Sequence, residues 1–111
     1  MIQNYNLPDC LTSNTFEGVE FILPTSDLWD LYYAYAKIQI RQSAGGPVVH
    51  EFHPGNGSLI ITQPHTITIP PQKIDIRPGT YFWDLRIRFV DQRTKTFIGG
   101  KWTILPIITR I

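Results

Sequence analysis

Three histidines, one cysteine and a few carboxylates are the side chains of this 111-residue chain best suited to chemistry, and their spacing limits what they can do. His50-Glu-Phe-His53 has the residue types of a metal centre. On a strand, residues three apart point to opposite faces, so the two imidazoles diverge unless the turn beginning at Pro54 swings one of them back. Ordinary strand and turn histidines are therefore expected. Asp27 and Asp30, in Ser-Asp-Leu-Trp-Asp, offer oxygen ligands for calcium, but the spacing and glycine of an EF-hand loop are missing, which favours turn capping. Cys10 has no neighbouring base to lower its pKa, so a nucleophilic role is not expected. No serine sits in a Gly-x-Ser-x-Gly elbow, and no glycine pair has the context of a phosphate cradle. The expectation is a non-enzyme with no catalytic residue, no cofactor and no metal.

The elements that must position any functional surface are strands. Arg77-Pro-Gly-Thr-Tyr-Phe-Trp-Asp-Leu-Arg-Ile-Arg-Phe-Val90 opens on a turn and then alternates with a period of two. Tyr81, Trp83, Leu85, Ile87 and Phe89 share one face, whereas Phe82, Asp84, Arg86, Arg88 and Val90 share the other. One apolar and one wet face indicate an antiparallel sheet rather than a parallel one. Residues Tyr32 to Gln42 repeat the pattern, with Tyr32, Ala34, Ala36, Ile38 and Ile40 against Tyr33, Tyr35, Lys37, Gln39 and Arg41. Thr15 to Leu23, Val48 to Phe52, Leu59 to Gln63, Thr66 to Ile69 and Phe97 to Leu105 read as further strands, the last with a bulge at Gly99-Gly100. Gln72 to Ile76 is expected as an irregular or 3₁₀ turn crossing between sheets. About seven short strands with turns every eight to twelve residues give an immunoglobulin-like antiparallel β-sandwich over residues 15–111, preceded by an extended N-terminal arm over residues 1–14. Gly79-Thr-Tyr81 matches a tyrosine corner, in which the Tyr hydroxyl reaches an upstream carbonyl; Trp83 stands where antibody domains carry a cysteine.

One cysteine forms no internal disulfide, so packing must stabilise the fold, and the chain is expected to be made in the cytoplasm. The N-terminus lacks the basic start and apolar run of a signal peptide, and no apolar stretch has the length of a membrane span; a membrane partner is not expected. A formal net charge of +1 argues against nucleic acid as a partner. That charge is unevenly spread: residues 1–36 carry −5 and residues 73–111 carry +5. Two readings stay open, pairing within one molecule or head-to-tail complementarity between copies.

Surface side chains then become the candidates. With the two long strands adjacent, Tyr33, Tyr35, Lys37, Phe82, Asp84 and Arg86 fall on one exposed face, an aromatic and basic composition typical of interface cores. A protein interface is expected there; the alternatives are an aromatic face covered by the arm, or a plain wet face. In the arm, Ile2, Tyr5, Leu7 and Leu11 are expected to anchor in a partner's groove, the alternative being an extra edge strand on the same domain.

The order of signals is similar to small immunoglobulin-like proteins of tailed-phage virions, including the N-terminal domain of baseplate upper proteins. The segments that carry the resemblance are Asp30-Leu31 leading into Ala36-Lys-Ile-Gln-Ile-Arg41, then Gly45-Gly-Pro-Val48, Leu59-Ile-Ile-Thr62, Pro78-Gly-Thr-Tyr-Phe-Trp-Asp-Leu85, Gly99-Gly-Lys-Trp102 and Ile107-Ile-Thr-Arg110. The resemblance implies a non-enzymatic virion component of the tail, baseplate, neck or fibre, with other virion proteins and copies of itself as partners. The other reading is a carbohydrate- or host-surface-binding module using Trp29, Tyr32 or Tyr35 as stacking platforms.

Overall fold

A computed structural model describes residues 3–23, 31, 34–62 and 65–108. The strands are β1 (Gln3–Asn4), β2 (Leu7–Leu11), β3 (Thr15–Phe16), β4 (Val19–Ile22), β5 (Tyr35–Arg41) and β6 (Val48–Phe52), followed by β7 (Ile60–Thr62), β8 (Thr66–Ile69), β9 (Gln72–Lys73), β10 (Gly79–Arg88) and β11 (Thr94–Leu105). A larger sheet runs β1-β11-β10-β5-β6, with β2 also on β11; the opposing layer consists of β4-β8-β7 and the pair β3-β9. This is the expected immunoglobulin-like β-sandwich. Among the described residues no helix is long and apolar enough to cross a membrane.

Alternation builds the core as the period of two requires. Trp83, Leu85, Ile87, Ala36, Ile38 and Ile40 are all buried, while their sequence neighbours on β10 face solvent. The tyrosine corner is closed by the Tyr81 hydroxyl, which donates to the Arg77 carbonyl at 2.6 Å. Trp83 fills the place of a disulfide by bulk, its ring stacked on Phe21 with centroids 5.6 Å apart.

The free arm is corrected. β1 and β2 run parallel along β11, pairing Gln3 with Ile98 and Leu7 with Trp102. Leu7 and Cys10 enter the core. The two indoles explain why: Trp83 Nε1 donates to the Tyr5 carbonyl at 3.1 Å and Trp102 Nε1 to the Pro8 carbonyl at 2.9 Å. Buried N–H groups need partners, and without this segment both donors would be orphaned. Pro8 is tolerated because β2 is an edge strand.

Three local expectations also change. The bulge in β11 falls at Phe97, where Leu85 pairs with Ile98 but Arg86 with Thr96. Gly99 and Gly100 instead lie in register, and a Cβ on Gly100 would stand 2.1 Å from the Tyr5 carbonyl oxygen; the glycine lets the N-terminal segment approach. The strand expected from Thr15 breaks into β3 and β4 at Gly18, whose φ of +93° a side chain would strain. Gln72–Lys73 is a short strand on β3 rather than an irregular turn, with Ile74 and Ile76 buried beyond it.

Candidate functional site

The outer face of the larger sheet is set by register. β10 lies between β5 and β11, so Arg86 faces Lys37 on one side and Thr96 on the other, Arg88 faces Tyr35 and Thr94, and Phe82 faces Arg41 and Lys101. Residues paired across antiparallel strands project to the same side. The face therefore gathers Lys37, Arg41, Arg86, Arg88 and Lys101, against the carboxylates of Asp84 and Glu51. Tyr35 and Phe82, each 38% exposed, are its aromatic members.

Not every base is available. Arg41 donates to the Gly46 carbonyl and, at 2.7 Å, to Gln39 Oε1; Gln39 in turn donates to Glu51 at 2.9 Å. These bonds tie the β5-β6 hairpin together. Lys101 lies 5.9 Å from the centroid of the Phe82 ring. Lys37 and Arg86 differ: directly opposite one another, they make no hydrogen bond or ion pair among the described residues. Like charges at such a position destabilise a sheet. With Tyr35, Arg88 and Thr94 they line a hollow of about 320 Å³ that has no carboxylate among its described residues. The Arg88 guanidinium sits 5.7 Å from the Tyr35 ring centroid, which holds it over the rim.

Of the residues expected to bind a partner, Tyr35, Lys37 and Arg86 meet in this hollow, and Phe82 lies further along the same face. The arm does not cover the face; it follows the β11 edge. Tyr5 packs edge-on against Phe21 and Trp83, Leu7 is buried, and Leu11 is at the opposite end of β11, so these three do not join the site. Ile2 and Tyr33 lie outside the described residues, as do Trp29, Tyr32, Asp27 and Asp30. Sequence reasoning passed over Arg88 and Thr94. Arg88 was already on the right face by alternation, whereas Thr94 is placed only by the β10-β11 register.

The two histidines fall in different settings. His50 turns inward beside Phe52, ring centroids 4.8 Å apart, and burial lowers its pKa below the usual 6.5. His53 lies beyond the strand, before the 3₁₀ turn Pro54–Asn56. Among the described residues no three or more His, Cys, Asp or Glu side chains are grouped to hold a metal ion. Burial raises the pKa of the Cys10 thiol.

No family model matches the chain, and no curated relative matches by sequence. Among solved structures it is similar to CopC from Methylosinus trichosporium OB3b, with a TM-score of 0.51 and 16% identity over 93% of this chain and 87% of that one. The likeness shows a common β-sandwich fold. It also corrects the expected kinship with tailed-phage virion proteins and the virion role drawn from it, since this neighbour is not a virion protein. The physical reason is plain: a Pro-Gly-Thr-Tyr corner, Gly-Gly turns and strand spacing are demands of the sandwich itself, so they identify the fold and no single family within it.

Proposed function

We propose that this chain is a non-catalytic protein-binding module that takes an acidic protein surface on the outer face of its larger sheet. One observation carries the reading: Lys37 and Arg86 stand directly opposite with no ion-pair partner among the described residues, in a hollow flanked by Arg88 and Tyr35. A sheet that only needed to be wet would gain from an acid at either position. Apposed cations become favourable when a carboxylate-bearing surface sits between them, and Tyr35 offers apolar contact beside the charge. Neutral strand-face partners would leave the cations unanswered.

Titration of the isotope-labelled protein with polyglutamate tests this by amide NMR. Shifts confined to Tyr35, Lys37, Arg86, Arg88 and Thr94, weakening with salt, are expected. The Arg86→Glu, Arg88→Glu double variant should lose them by at least about tenfold in affinity, two charge pairs being reversed. Shifts scattered over the whole surface, or none in the hollow, would sink the reading.

A further inference from the structure

A second hollow, of about 230 Å³, opens where β2 meets β3, and Asp9 and Glu17 line it with no base among its described residues. Both carboxylates are on exposed residues, and neither makes an ion pair among the described residues. β11 relates the two hollows. The basic one lies beside Thr94, the acidic one beside Ile104 and Leu105, where Cys10 and Leu11 pair. At about 3.3 Å of rise per residue they are roughly 30 Å apart, well beyond the reach of intramolecular pairing. They also open differently, one on the outer sheet face and the other at the seam between layers.

From this arrangement we infer that the acidic surface fitting the basic hollow is the Asp9–Glu17 seam of a second copy, so that the chain self-associates head to tail. The inference rests on the proposed acidic partner and names it. Charge complementarity argues for it: Lys37 and Arg86 in one hollow, and Asp9 and Glu17 in the other, have no ion-pair partner among the described residues, and the two hollows carry opposite charge. Two different patches in contact make a heterologous interface, which extends into a ring or an open chain.

Sedimentation velocity across a concentration series decides, run at low salt, where the screening length is about 30 Å, and again near physiological salt, where it is about 8 Å. Wild-type protein is expected to grow in size with concentration, less so at the higher salt. The Arg86→Glu, Arg88→Glu variant and the Asp9→Lys, Glu17→Lys variant should each associate about tenfold more weakly. An equimolar mixture of the two should regain association, because each restores the charge its partner lost. Circular dichroism melting of each variant checks that it is folded. A wild type that stays monomeric throughout, or variants that associate as well as it does, would overturn the inference. If polyglutamate still perturbs the Lys37–Arg86 hollow of a monomeric wild type, self-association falls while the acidic-partner reading stands; if polyglutamate leaves the hollow untouched, the underlying reading falls.

Discussion

Inward from β10 stand Tyr81, Trp83, Leu85 and Ile87; outward, one residue out of step, stand Phe82, Asp84, Arg86 and Arg88. The same strand thus answers two sets of demands. On the inner face Trp83 stacks on Phe21, and the polar tips of Tyr81 and Trp83 both find backbone acceptors. The outer face breaks a local rule by setting Arg86 against Lys37, although a single acid there would relieve it. That avoidable cost on a wet face is the difference between the two faces on which the proposed acidic-partner reading rests.

The largest contrast between the faces is expected from truncation. Trp83→Ala should lower unfolding free energy by about 3–5 kcal/mol, whereas Phe82→Ala, one residue away, should cost under about 0.5 kcal/mol. Chemical denaturation of both variants measures this, and comparable losses would mean that the outer face is packed as tightly as the inner one. A smaller effect is expected at the sheet edge. Gly100→Ala drives a methyl into the Tyr5 carbonyl and should cost about 1–3 kcal/mol, as overpacking does. Hydrogen exchange at Asn4 to Leu11 should quicken with it; unchanged protection there would show that Gly100 is not what admits the segment. Smallest and opposite in sign is Arg86→Glu, which converts a repulsive pair into an attractive one. It should stabilise the domain by about 0.2–1 kcal/mol, with the gain shrinking in salt, even as polyglutamate binding is lost. Destabilisation instead would remove the frustrated pair that sets the two faces apart.

Much of this was legible in the chain. The period of two in Tyr81–Phe89 and Ala36–Ile40 placed the core, the Gly79-Thr-Tyr81 corner was found, and alternation alone put Lys37, Arg86 and Tyr35 on outward faces. What escaped were relations between distant segments. Leu7-Pro-Asp-Cys10 shows no alternation because its pairing with β11 is irregular between Trp102 and Ile104, so a buried edge strand resembled a loose arm. Gly99-Gly100 reads equally as a bulge or a close approach until the segment above it is known. That Lys37 and Arg86 are opposed, rather than merely on the same side, depends on register, which no single strand records.

The parallel seating of the first residues on the last strand has a consequence for synthesis. Trp102 takes its hydrogen-bond acceptor from Pro8, 94 positions earlier, so β2 has no docking place until β11 has been made. Until then Leu7 and Cys10 have no core to enter, and the sandwich cannot close strand by strand in the order of the sequence. Contacts this distant in sequence slow folding toward the millisecond-to-second range of all-β sandwiches. The final folding step would then be the seating of residues 7–11 along β11, which must wait until Trp102 has been made.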